Sequence, residues 1–174
     1  MKIYEILCEN FVNLVTPTQR KRYASYVWQL LQNTYDKYGS GMGLSGANLD
    51  NLINTPGVWK VSFIDGKIVA GVIYRNSSGH KVRLVFHNDT RDGKNALKAI
   101  LSDDITGNKS CGEFSGNLEK VMLNLGGKPI PNTQAERILG QKILELDPDG
   151  FHYTREVSPG VVKTQMLIGS FKNS

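Results

Sequence analysis

The 174-residue sequence predicts an α/β (α+β) domain, a mixed, largely antiparallel sheet flanked by helices on both faces. Three observations carry that expectation. The stretch from Trp59 to Leu101 reads as three strand-like runs followed by a helix. Another strand falls between Lys109 and Ser115, so the chain must cross over the sheet to reach it. Two late runs, Phe151–Val157 and Val161–Ile168, flank Ser158-Pro159-Gly160 as a closing antiparallel hairpin.

Within the central block, Asp65-Gly66 separates the first two runs, Val61–Phe63 and Val69–Tyr74. Asp-Gly is a strong hairpin signal because both central residues of a type I′ turn need positive φ. Asn76–Gly79 separates the second run from Val82–Phe86. That third run stops at His87-Asn88-Asp89-Thr90, where a helix starts with Leu97, Ile100 and Leu101 at i, i+3 and i+4. A strand feeding a loop and a helix N-terminus presents free amides to an anion. The same residues also read as an ordinary helix capped by Asp89 or Thr90.

The remaining elements follow from punctuation and periodicity. Residues 1–15 read as a leader or docking segment, helical through Ile3, Ile6, Leu7 and Phe11, or an edge strand; 16–174 reads as a single domain. Thr16-Pro17 opens a helix that runs to Gly39, with Tyr23, Val27, Leu30 and Leu31 on one face. A glycine-rich stretch follows, then a short helix, Asn48–Ile53, ended by Thr55-Pro56-Gly57. Past the crossover, Asn117–Leu125 places Leu118, Val121, Met122 and Leu125 at core spacing. Thr133 caps a short helix with Ala135, Ile138 and Leu139, and Asp147-Pro148-Asp149-Gly150 is a turn by composition.

Composition sets the bounds on function. Forty per cent hydrophobic residues suffice for a buried core, and no run reaches the ~20 apolar residues that span a bilayer. No signal-peptide pattern is read at the start. Cys8 and Cys111 stand far apart without CxxC or histidine company, which excludes a zinc motif and implies no disulfide. With three His residues and no ligand spacing, no metal site is expected. A Gly-x-Ser-x-Gly hydrolase signature is absent. The formal charge of +5 favours an acidic partner such as nucleic acid or a phosphorylated cofactor. Its dense cluster, Arg20-Lys21-Arg22, reads as a solvated face.

The element order, with a loop-to-helix junction after the third strand of the meander, resembles the GCN5-related N-acetyltransferase (GNAT) fold. That family holds the acyl-CoA pyrophosphate with Gln/Arg-x-x-Gly-x-Gly/Ala; Arg91-Asp92-Gly93-Lys94-Asn95-Ala96 matches at Arg91 and Ala96, with Lys94 at the middle glycine and Gly93 one place early. The resemblance implies acetyl-CoA as cofactor and an amine as acceptor, with Arg91, Gly93, Lys94 and Asn95 at the phosphates. It also implies a base, Glu113, on the strand after the crossover, with Tyr153 as a second catalytic candidate on a late strand. His152 alternates with Tyr153 and faces the other way. The Asn117–Leu125 helix, where the family commonly carries an acid Tyr, has none.

Much of the chain, including VWQLLQNTY, WKVSFIDGKIVAGVIY and DGFHYTREV, also resembles small proteins of tailed phages. Met1–Glu9 is similar to the capsid-targeting leaders of phage head proteins, with Leu7-Cys8-Glu9 as the cleavage pattern and Asn10 after it. This second resemblance implies the host cytoplasm or the phage head as location. It leaves an alternative to the enzyme: a non-catalytic phage protein on the same fold that binds a host protein or DNA.

Overall fold

The computed structural model describes residues 11–39, 44, 48–75, 81–103 and 110–171. β1 (Phe11–Leu14) leads to α1 (Pro17–Lys21), α2 (Ala24–Tyr38) and α3 (Leu49–Asn54). The meander follows as β2 (Val58–Ile64), β3 (Lys67–Tyr74) and β4 (Lys81–His87). The crossover helix α4 (Arg91–Ser102) leads to β5 (Cys111–Phe114) and α5 (Gly116–Asn124). A two-residue β6 (Lys128–Pro129) and a 3-10 turn precede α6 (Ala135–Leu139). The chain then adds β7 (Glu145–Leu146), β8 (His152–Ser158) and β9 (Val161–Gly169).

These strands form one nine-stranded sheet in the order β1-β2-β3-β4-β5-β9-β8-β7, with β6 also on β9. Every pairing is antiparallel except β4 with β5. The fold class is therefore the expected mixed, largely antiparallel one. Asp65 (φ 52°) and Gly66 (φ 76°) both take the positive φ that the β2–β3 turn demands.

Alternation along the strands sorts the core. Val72 and Val85 point to α4 and pack with Ala96, Leu97 and Ile100. Ile73, Leu84 and Phe86 point the other way, against Val27 and Leu31 of α2. A third, smaller core joins Ala135 of α6 to Tyr153 and Leu167. Helices thus cover both faces.

Of the two readings left open for the leader, Phe11 follows the edge strand: it lies in β1, paired with Ser62 along the edge of β2. Two details differ from the sequence expectation. The single helix expected from Pro17 to Gly39 breaks after Lys21, where Tyr23 N donates to Arg20 O at 3.0 Å. Gln134, not Thr133, stands at the N-cap of α6, since Asn132–Gln134 winds into the 3-10 turn. The expected turn at Asn76–Gly79 lies outside the described residues, as do Cys8 and most of the glycine-rich stretch.

The break in the first helix places Arg20 inside, at 1% exposure, instead of on a solvated face. Its five N–H donors meet five carbonyls: Leu14 at 3.2 Å, Ile53 at 2.9 Å, Thr55 at 2.8 Å, Val15 at 3.1 Å, and Gly57. One guanidinium therefore fastens β1, the end of α3 and the entry to β2, with Trp59 beneath it. Arg20→Lys keeps the charge but offers three donors from a single point. A loss of about 3 kcal/mol is expected from the carbonyls left unmet. Urea unfolding checks this, and an unchanged midpoint would show that those carbonyls find other partners.

Candidate functional site

The site is built by the one parallel pairing. Among the described residues, β4 and β5 are joined at Lys81 with Cys111 and Val82 with Gly112, and no further. Beyond those rungs β4 runs on to His87, while β5 ends after Glu113 and Phe114. A β-bulge at the same level pairs Tyr74 with Val82 but Ile73 with Leu84, leaving Arg83 as the extra residue. The strands separate into a wedge. From α2, Tyr35 reaches into it: its hydroxyl accepts from Val85 N at 3.2 Å, and burial pushes its pKa up to about 12.

Glu113 stands at the base of the wedge. Arg155 grips both carboxylate oxygens at 2.6 Å, through Nε and Nη2, and Tyr153 donates its hydroxyl to Oε2 at 2.8 Å. The Glu113 and Arg155 side chains are each 9% exposed, and Tyr153 is fully buried. Burial, then the charge of Glu113, raises the Tyr153 pKa far above its ordinary value, so this phenol keeps its proton. The hydrogen bond to Glu113 raises that of Arg155. The structure thus brings the two catalytic candidates, Glu113 and Tyr153, into direct contact.

Two cavities open around this group. One of about 190 Å³ is lined by Arg75, Arg83, Arg155, Lys163 and Gln165 as well as Glu113 and Tyr35. Its neighbour, about 370 Å³, shares Arg75, Glu113 and Arg155 and reaches Cys111. Burial pushes the Cys111 thiol up to about 11, which makes it a poor nucleophile near neutrality. Arg83 is pulled below its ordinary pKa by burial and by the charge of Arg75.

The other four candidates, Arg91, Gly93, Lys94 and Asn95, lie together on the first turn of α4, past the far end of β4. Thr90 caps this helix, its hydroxyl accepting from Gly93 N at 3.0 Å. Gly93 is required for contact: a Cβ there would run into Asn88 Oδ1 and lie 2.9 Å from Val69 O. Asp89, held at φ 61°, pairs with Lys37 and Tyr38 and lies 3.5 Å from Lys94 Nζ. The hydrogen bond from Lys37 is the main cause that holds its carboxyl well below the usual range.

No family model, curated protein or solved structure matches the chain. Among the described residues no helix is long and apolar enough to cross a membrane.

Sequence reading missed Arg155, Arg75, Arg83, Lys163 and Gln165. A signal for Arg155 existed, because positions 153 and 155 of one strand share a face. Lys163 and Gln165 pair with Arg155 and Tyr153 across the hairpin, a register that follows from its turn. The bulge that turns Arg83 toward the cavity has no sequence signature.

On the other face of the hairpin, His152 sits between Asp149, bonded at Nδ1, and Glu119 of α5, 2.9 Å from Nε2. Asp147 completes an acidic group around it, and the Asp149 hydrogen bond is the main cause that raises the imidazole pKa. A folded-state pKa above the unfolded value contributes stability that is full below about pH 6.5 and fades as pH rises through the raised value. The stability difference between the parent and His152→Gln should therefore be full below about pH 6.5 and shrink as pH rises through the raised value. Urea midpoints of both proteins across that range check the sign, and a difference that grows with pH would contradict it.

Proposed function

We propose that the protein is an acyl-CoA-dependent N-acyltransferase that joins an acyl group to an amine in the wedge between β4 and β5. The observation that supports this reading is the combination of parallel strands parting after two rungs, a bulge at Arg83, and a helix N-terminus beyond β4. A long thin ligand edge-on to β4, with its charged end at α4, would take the place of the Tyr35 hydroxyl on Val85 N.

The residues at α4 fit a pyrophosphate in part. The amides of Arg91 and Asp92 have no partner within the helix by its geometry, and Arg91 and Lys94 add positive charge, with Asn95 on the same turn. Acyl-CoA supplies a thioester, whose C–S bond breaks as the amine nitrogen forms the new C–N bond. Glu113 takes the proton that the amine sheds. Three of its roughly four lone-pair sites are committed, which leaves one on Oε1. Tyr153, whose phenol keeps its proton, steadies Glu113 Oε2 through its hydrogen bond, and the departing thiolate takes its proton from water.

A second reading has one observation in its favour. The Asp89 carboxylate stands at the α4 N-terminus and the Gly93 amide is engaged by Thr90, an arrangement that suits a plain cap. On that reading the chain is a non-catalytic protein on the same scaffold that binds a host protein or DNA.

Calorimetry with acetyl-CoA separates the two. For an enzyme, Lys94→Glu should weaken binding roughly five- to a hundred-fold, the equivalent of ~1–3 kcal/mol for a charge-assisted bond. Asp89→Asn, which keeps a side chain tolerant of positive φ, should tighten binding. No heat from the parent at high micromolar acetyl-CoA, or no response to either change, would hand the site to the second reading.

A further inference from the structure

The edge of β4 that acyl-CoA would lie along is already held by α2. Asn88 N, just past β4, donates to Val69 O of β3, so alternation turns the amides of His87 and Val85 to the opposite edge. Among the described residues no strand pairs with them on that side, and two successive side chains of α2 stand there instead. The Tyr35 hydroxyl accepts from Val85 N at 3.2 Å. The buried Thr34 hydroxyl accepts from His87 N at 3.2 Å and donates to Leu30 O at 2.8 Å. The same turn reaches the start of α4, where Lys37 and Tyr38 hold the Asp89 carboxylate.

Cavities lie on both sides of this crossing. The one of about 190 Å³ at Glu113 meets Tyr35 and the C-cap Gly39. Another, of about 230 Å³ beside His87 and Asp89, meets Asn33 and Lys37. Those two pairs lie on opposite faces of the helix, so α2 separates the two spaces. Anchoring along α2 is uneven: Ala24, Val27, Leu30 and Leu31 are buried, whereas beyond them only Thr34 is. Its end can therefore open while its start stays packed, as local unfolding does.

We propose that the last turn of α2, residues 34–38, is an autoinhibitory bar that releases β4 as a unit, and that acyl-CoA binds along β4 only in the released form. Release joins the two cavities into one slot between α4 and Glu113. The choice of acyl-CoA rests on the acyltransferase reading; the bar itself does not. A ligand that binds a minor form loses affinity in proportion to the population of that form, so loosening the bar tightens binding by the same factor.

Two measurements test this. Amide hydrogen exchange of the parent without ligand should show His87 and Val85 opening together, ahead of the β3 amides, which strands hold on both sides. Tyr35→Phe should speed exchange at His87 as well as at Val85, although it leaves the Thr34 partner of His87 in place. Calorimetry should then find acetyl-CoA bound about fivefold more tightly by Tyr35→Phe, matching the rise in His87 exchange. Exchange of His87 in the parent only at the pace of β3 overturns the bar, and that outcome needs no variant. So does His87 exchange unmoved by Tyr35→Phe, which is what a plain cap on Val85 gives. Acetyl-CoA bound equally by the parent and Tyr35→Phe overturns the bar and leaves the acyltransferase reading standing. No heat from either protein overturns that reading, and the exchange results then decide the bar alone.

Discussion

The structure depends on a sheet that, among the described residues, is joined across its middle by two rungs. Parallel neighbours cannot be linked by a tight turn, so the chain must travel through a crossover, and α4 is that crossover. Because α4 packs on Val72 and Val85, its start is fixed at the end of β4. Because β5 is short, its far side is held by β9 instead, through four paired positions. The two halves of the sheet are each well bonded, and the line between them is open. Backbone groups on that line need other partners, and Tyr35 supplies one for Val85.

That arrangement explains where polar side chains gather. A wedge in a sheet is lined by strand residues, which point alternately to either face. Glu113 therefore meets the face of β8 and β9 that carries Tyr153, Arg155, Lys163 and Gln165. Burying an ion pair at 9% exposure is favourable only when its remaining donors and acceptors are met. The bidentate contact of Arg155 and the phenol of Tyr153 meet most of those on Glu113. Gln165 Oε1, on the same face, is left over.

Much of this fold was legible because it is local. The meander rests on Asp65-Gly66 and on runs of β-branched residues, and α4 rests on the spacing of Leu97, Ile100 and Leu101. The cap at Thr90 was one of two residues open to that role, since Asp89 and Thr90 have the same chemistry for it. What sequence could not show depends on partners far along the chain. Arg20 reads as one of three surface cations until the carbonyls of residues 53, 55 and 57 are placed around it. Glu113 is a candidate by family resemblance alone until Arg155 arrives from 42 residues away to pair with it. The bulge at Arg83 is set by how β4 must bend to leave β5, which no local pattern records.

The two places where this chain could hold an anion differ in how their charge is spent. At the start of α4 the helix dipole and the cations Lys37 and Lys94 favour negative charge, and Asp89 already provides it. All three side chains there are about half exposed, so water and salt weaken what remains. At α4 an anion competes with the Asp89 carboxylate, whereas among the described residues of the wedge Glu113 is matched to Arg155, with Arg75 and Arg83 beside them.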